Sequence, residues 1–278
     1  MSTTVSVLGL GIIGEIWARN LAADGFPILT WNRTPKPQAS GHCEHAARAA
    51  ESARFIFIVV ADPPAVASVL DQIEPVLNPG QTVIQSSTID PESSRAFATR
   101  VEATGAAFLE APFTGSKPAA EARETVFYTG GRAEVLAEAR QVLGPLSKSI
   151  HHFGEVGTAS TLKLAMNTNI ALIAEALCES LTFAREHGAT DDQFFEALNA
   201  NVGRSGVSGL KEAKLRAGDY ATQFSVKHMA KDLRLALQTA DADAPLPLLR
   251  KMVAQYNQAE NDGRGELDFI SLIELLRR

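Results

Sequence analysis

Thr3-Thr4-Val5-Ser6-Val7-Leu8-Gly9-Leu10-Gly11-Ile12-Ile13-Gly14 is the stretch on which the fold turns. A short β-branched run leads into glycines at the G-x-G-x-x-G spacing, and an apolar-periodic stretch over 12–24 follows. Gly9 permits a tight strand-to-helix turn, Gly11 lets a pyrophosphate approach the backbone, and Gly14 lets helix and strand pack closely. The N-terminus of the helix, at Ile12 and Ile13, then offers free N–H groups and a positive dipole end to phosphates. The glycines alone would match many tight turns. The strand before them and the helix after them point to a dinucleotide site.

Composition bounds the alternatives. The 278 residues have room for one large domain or two of ordinary size. A hydrophobic share of 45% and a charged share of 21% fit a soluble globular protein. The net charge is −6 and no long basic block occurs, so nucleic acid is not an expected partner. No apolar run reaches the ~18 residues of a spanning helix and no signal peptide is visible, so no membrane partner and a cytoplasmic location are expected. Cys43 and Cys178 are too few for a disulfide framework. His42, Cys43 and His45 sit too close together for the usual zinc spacing, and no metal is expected.

Past Gly25, which ends the first helix, Ile28-Leu29-Thr30-Trp31 reads as a second strand followed by Asn32-Arg33-Thr34-Pro35. About 20 residues past the glycines, a dinucleotide fold meets the adenine ribose. An Asp or Glu there would bind the 2′-hydroxyl and repel a 2′-phosphate. Asn32 carries no charge and Arg33 offers a guanidinium fork, so NADP(H) is expected in preference to NAD(H).

Phe55-Ile56-Phe57-Ile58-Val59-Val60 is apolar throughout, as in a strand buried on both faces. Its carboxyl end, Val60-Ala61-Asp62, lines the ligand crevice of an open α/β sheet, and Asp62-Pro63-Pro64 starts the next helix. Thr82-Val83-Ile84-Gln85 is a strand ending in Ser86-Ser87-Thr88, with Asp90-Pro91 capping a helix over 91–104. These hydroxyls either face a ligand or are ordinary loop chemistry before a cap. The strand at 107–110 runs into Ala111-Pro112-Phe113-Thr114-Gly115-Ser116-Lys117-Pro118. Its small, polar make-up suits an anion such as a substrate carboxylate, although it also reads as a plain loop. Strands over 125–129 and 149–153 flank a helix over 132–143, and this alternation marks a doubly wound sheet.

The pattern changes at Gly154-Glu155-Val156-Gly157, where a helix over 159–186 begins, with Leu162, Met166, Ile170, Ile173, Leu177 and Leu181 as its apolar stripe. Everything beyond reads as helix, including a capping box at Thr190 and amphipathic stretches over 226–240, 246–259 and 268–276. The expected fold is α/β: an N-terminal Rossmann-type doubly wound sheet over 1–158, joined by the long helix to an all-α domain over 159–278. Lys163, flanked by leucines, has Asn167 four residues on and so on the same helical face. A desolvated lysine is a better proton donor near neutrality. A lysine snorkelling between apolar neighbours fits the same spacing.

Five separated motifs resemble the β-hydroxyacid dehydrogenase family, which includes 3-hydroxyisobutyrate dehydrogenase and the glyoxylate/succinic semialdehyde reductases. They are Gly9-Leu10-Gly11-Ile12-Ile13-Gly14, Ser87-Thr88-Ile89-Asp90-Pro91, Glu110-Ala111-Pro112-Phe113-Thr114-Gly115-Ser116, Gly154-Glu155-Val156-Gly157 with Lys163 and Asn167, and Lys231-Asp232-Leu233-Arg234-Leu235-Ala236. Gly115-Ser116-Lys117, the run from Phe224 to Asp232, and Gly263-Arg264-Gly265-Glu266-Leu267-Asp268-Phe269 most resemble the glyoxylate/succinic semialdehyde reductase branch. The resemblance implies that Lys163 is the catalytic acid or base and Asn167 its helper. It implies that Thr114 and Gly115 hold a substrate carboxylate, and that Thr88 and Lys231 touch the cofactor. By the same likeness Phe224 and Asp232 close the cleft from the helical domain, which also forms a homodimer or homotetramer. Three departures stand out: Phe113 and Thr114, where the family has Val and Ser, are expected to narrow the pocket, and Arg123, where it has Gly, to alter the loop or add a cation near the cleft. The expected activity is NADPH-dependent reduction of a small carboxylate-bearing aldehyde or keto acid to the hydroxy acid. The alternatives are a 3-hydroxyisobutyrate-type dehydrogenase working oxidatively, an imine reductase or reductive aminase, which shares a run like 31–35 but usually lacks the lysine, and a non-catalytic NADP-binding protein.

Overall fold

The computed structural model describes residues 3–276, so residues 1–2 of the first expected domain and 277–278 of the second lie outside the described residues. The chain divides into two compact units between Leu164 and Ala165. The first unit begins with β1 (Val5–Leu8), α1 (Ile12–Ala23), β2 (Ile28–Trp31), α2 (Ala46–Glu51), β3 (Phe55–Ile58), α3 (Pro63–Ile73), β4 (Thr82–Gln85), α4 (Pro91–Ala103) and β5 (Ala107–Glu110). It continues with β6 (Phe113–Thr114), α5 (Lys117–Glu121), β7 (Thr125–Thr129), α6 (Ala133–Leu143), β8 (Ser147–His152) and the start of α7 (Thr158–Glu186).

Strands β1 to β5 form one parallel sheet in the order β2-β1-β3-β4-β5. All four residues of β3 are apolar and fully buried, as a strand covered by helices on both faces requires. Strand order reverses between β1 and β3, which places the ligand crevice at their carboxyl ends.

The last two strands do not extend this sheet. β6, β7 and β8 form a separate one, with β6 antiparallel to β7 and β7 parallel to β8. Only Ala111 and Pro112 connect β5 to β6. A parallel neighbour would need a crossover of about a dozen residues, so the chain leaves the parallel sheet here.

Two expectations about the departures are corrected by the packing. The Phe113 ring lies 4.8 Å from Trp17 and 6.4 Å from Phe127, both edge-on, within the core that also holds Phe57. Successive strand residues point to opposite faces, so Phe113 fills the core while Thr114 faces the other way. Arg123 is equally structural. Its guanidinium donates to Asp24 Oδ2 at 2.6 Å, to the Asn20 carbonyl at 3.2 Å and to the Pro145 carbonyl at 3.1 Å, and so clamps the C-terminus of α1. A cation is favourable against the Asn20 carbonyl, in the last turn of α1. Its φ of +60° is the one positive value among described non-glycine residues. Arg123→Ala keeps that backbone and loses the clamp. We expect it to lower stability by about 1–2 kcal/mol, read by denaturant melting, with kcat and KM unchanged.

The second unit holds the rest of α7, then α8 (Asp191–Asn199), α9 (Gly206–Ala217), α10 (Val226–Thr239) and α11 (Pro247–Ala259). Thr190 and Gln193 form the expected capping box. The helix expected over 268–276 is instead a 3₁₀ segment, Phe269–Leu276. Residues 269–273 are all buried, so no exposed face alternates with a buried one as an amphipathic α-helix requires. In α7 the buried stripe also differs from the expected one. It runs through Ser160, Lys163, Leu164, Asn167, Ala171, Ala174, Leu177, Cys178 and Leu181, so Leu177 and Leu181 are buried as expected while Met166 faces outward. The first turns of the helix therefore bury polar side chains.

Candidate active site

The glycine turn is built as its spacing requires. Gly9 has φ +107°, and a Cβ there would lie 2.2 Å from the Val59 carbonyl oxygen. A Cβ on Gly14 would lie 2.0 Å from the Gly9 carbonyl oxygen. Gly11 faces open space, and no side chain caps the first turn of α1. The amides at Ile12 and Ile13 thus sit above a cradle with room for a diphosphate.

Side chains beside the turn are tied together. Asn32 Oδ1 accepts the Leu10 N–H at 2.8 Å, and Asn32 Nδ2 donates to the Thr34 carbonyl at 2.8 Å. Asn32 thus links the glycine turn to the loop after β2, with its amide used on both sides. Arg33 beside it is exposed. At the next crevice edge, Ser87 Oγ accepts the Val60 N–H at 2.8 Å and donates to the Ile58 carbonyl. Gln85 wraps the same turn through the Ser87 N–H and carbonyl. Ser87 is therefore a lock between β3 and β4, and Thr88 follows it, half-buried. Asp62 caps α3 by accepting the Ala65 N–H at 2.9 Å, immediately after Val60 and Ala61.

The Thr114-Gly115-Ser116 loop joins β6 to α5. Gly115 has φ +106°, and a Cβ there would meet the Ala119 methyl at 2.9 Å. Ser116 occupies the N-cap of α5 without a side-chain cap bond. The backbone amides and two hydroxyls of this loop suit a carboxylate.

Lys163 lies on α7 and is only 8% exposed. Sequence reasoning gave no role to Glu110, at the carboxyl end of β5, yet its carboxylate holds the start of this helix. Glu110 Oε2 accepts the Gly157 N–H at 2.8 Å and Oε1 the Ser160 N–H at 2.9 Å.

In the second unit, Asn167 Nδ2 donates to Asp232 Oδ2 at 2.5 Å, and the Lys231 ammonium lies 2.6 Å from Asp232 Oδ1. All three are buried or nearly so. Phe224 packs its ring on Phe269 and His228, each at 6.1 Å. The Ser225 hydroxyl lies 2.6 Å from His228 Nδ1. Burial, then the charge of Lys231, pulls the His228 pKa below its ordinary value, which favours the neutral ring. The loop carrying Phe224 is pinned by Asp268, whose Oδ2 accepts the N–H groups of Gln223 and Phe224. Asp268 pairs in turn with Lys211 at 2.8 Å. Asp268 stands inside a motif noted in the sequence, but nothing there distinguished Lys211 from a surface lysine.

Known proteins share both parts of this arrangement. The family model of the NAD-binding domain of 6-phosphogluconate dehydrogenase matches residues 4–154. The model described as NAD-binding of NADP-dependent 3-hydroxyisobutyrate dehydrogenase matches residues 157–276. Glyoxylate/succinic semialdehyde reductase 1 of Arabidopsis thaliana is 28% identical, with 98% of each chain covered. The 2-hydroxy-3-oxopropionate reductase of Escherichia coli is 29% identical over 97% of this chain and 95% of its own. A solved 3-hydroxyisobutyrate dehydrogenase of Mycobacterium tuberculosis with L-serine superimposes with a TM-score of 0.90 at 25% identity, and the whole of both chains is covered. With both halves matched in order, the chain belongs to the β-hydroxyacid dehydrogenase family and is an NAD(P)-dependent oxidoreductase.

Proposed function

We propose that the protein reduces a small carboxylate-bearing aldehyde or keto acid to the hydroxy acid with NADPH. One observation carries the reading: a lysine 8% exposed on the helix anchored to the carboxyl end of β5, the same sheet edge that bears the glycine turn after β1. NADPH, when bound, supplies hydride to the carbonyl carbon. Lys163 gives its ammonium proton to the carbonyl oxygen, so the alkoxide charge never develops in full, and water restores the proton afterwards. Asn167, oriented by Asp232, presents its amide one helical turn beyond Lys163. Thr114, Gly115 and Ser116 take the substrate carboxylate. Glycines 9, 11 and 14, with Val60, Ala61, Thr88 and Lys231, serve the cofactor, and Phe224 and Asp232 the substrate.

The preference for NADPH rests on Arg33, exposed directly after β2 beside an uncharged Asn32. Arg33→Ala is expected to weaken NADPH binding about ten- to a hundredfold, read by cofactor fluorescence, and to leave NADH binding unchanged. The function itself is tested by absorbance at 340 nm with NADPH or NADH and glyoxylate, succinic semialdehyde or a cyclic imine. Turnover of an aldehyde acid with NADPH supports the reading. Turnover of the imine alone moves the protein to amine chemistry, and a clear NADH preference overturns the role of Arg33.

A further inference from the structure

Glu110 is fully buried. Among the described residues no cation pairs with it, and its carboxylate is answered by two backbone N–H groups alone. These belong to Gly157, the residue before α7, and Ser160, its third residue. In a capping box the second of these N–H groups is met by a Ser or Thr side chain at the N-cap, and the first by a Glu or Gln at the third helical position. Here the cap comes from a residue 47 and 50 positions earlier, on a strand of the parallel sheet.

A buried carboxylate is a costly way to cap a helix, since a neutral hydroxyl satisfies the same donor without desolvating a charge. What the carboxylate adds is rigidity of placement. It engages two donors at once, with charge-assisted bonds directed along the positive end of the helix dipole. The side chain has no freedom to wander. The Glu110 backbone is paired both ways with Gly130 at 3.0 Å, and a Cβ on Gly130 would lie 2.4 Å from Glu110 Oε2. Gly130 is therefore the space into which the carboxylate folds. The helix start is confined from another side too: Gly157 has φ +100°, and a Cβ there would meet the Arg95 guanidinium at 2.3 Å. Lys163 follows Ser160 by three residues, less than one turn, so an error in the helix start is transmitted to its ammonium nearly undiminished.

We propose that Glu110 is the positioning residue for Lys163: its buried carboxylate ties the first turn of α7 to the carboxyl end of β5 and so sets where the proton donor stands. The inference rests on Lys163 being that donor.

The test uses the full-length protein, Glu110→Gln and Gly130→Ala, with kcat and KM for the aldehyde substrate, NADPH Kd by fluorescence, and circular dichroism. Glu110→Gln replaces one acceptor with an NH₂ that opposes a backbone N–H. Gly130→Ala leaves the carboxylate chemically intact and crowds both its Oε2, at 2.4 Å, and the Glu155 carbonyl oxygen, at 2.9 Å. A misplacement of about 1 Å costs about a hundredfold in rate, so both variants are expected to lose about ten- to a hundredfold in kcat, with KM and NADPH Kd within about twofold. A folded variant with wild-type kcat overturns the proposal, as does a loss confined to KM or Kd. If neither variant folds, Glu110 is a stability element only and the proposal fails. Lys163→Ala in parallel separates the two ideas. An active Lys163→Ala removes the donor reading itself, whereas an inactive one beside normal Glu110→Gln and Gly130→Ala removes only the positioning role.

Discussion

Lys163→Ala is expected to lower kcat for aldehyde reduction by about 10²–10⁴-fold while NADPH Kd stays within about twofold. The size follows from what is removed. A hydride arriving at a carbonyl carbon leaves negative charge on the oxygen, and a positioned proton donor is the group that discharges it. The Lys163 side chain is nearly closed off from solvent, so bulk water is a poor substitute at that point. The loss should therefore fall on kcat, the signature of an interaction made in the transition state rather than in binding. Lys163→Arg sharpens the test. It keeps a positive charge and comparable length but does not release a proton at any working pH, so it too should be inactive if proton transfer is the role. Partial activity in Lys163→Arg with none in Lys163→Ala would assign Lys163 to charge stabilisation alone. Full activity in Lys163→Ala would end the reductase mechanism as written.

The parts of this protein that were legible in its sequence are those where the backbone itself leaves no choice. Gly9 and Gly14 tolerate no Cβ because a carbonyl oxygen stands about where it would go, and that constraint is written as a residue type. Caps are equally local: Asp62, Asp90 and Thr190 bond to amides three residues on. What was not legible depends on partners far along the chain. Glu110 reads as the end of a strand, and nothing near it reveals that the N–H groups it accepts lie beyond residue 150. Phe113 looks like added bulk in a binding loop until Trp17 and Phe127 come to meet it. In α9, Leu210 is 70% exposed and the adjacent Lys211 is 4% exposed, the reverse of what their hydropathy suggests. The inversion holds because Asp268 lies in the interior as a partner for Lys211. The α7 stripe shifted for a related reason: Lys163 and Asn167 are turned inward, and the helix rotates Met166 out to accommodate them.

That inverted lysine is the basis of the second large effect, in stability. Lys211→Met is expected to destabilise the protein by about 3–5 kcal/mol, because it strands a buried charge rather than merely deleting a contact. The Lys211 ammonium lies 2.8 Å from Asp268 Oδ1, 3.0 Å from Oδ2 and 3.1 Å from Gln223 Oε1, with the Phe269 ring centroid at 4.5 Å. Burial pulls its pKa below the ordinary lysine range, and the bond to Asp268 opposes that pull. Methionine fills much the same volume, so packing loss contributes little and the unpaired Asp268 carboxylate dominates. Adding Asp268→Asn should recover part of the loss, with a coupling of about 0.5–3 kcal/mol in the double-mutant cycle measured by denaturant melts. Strictly additive single effects would show that the two side chains do not act as a pair. A functional consequence is expected at the same time. The Asp268 carboxylate that Lys211 neutralises also holds the Gln223 and Phe224 N–H groups, so releasing it should loosen the segment bearing Phe224. At a temperature where Lys211→Met is folded, KM for the aldehyde should rise while the NADPH Kd is unchanged. A rise in neither would confine Lys211 to stability and remove Phe224 from the substrate side.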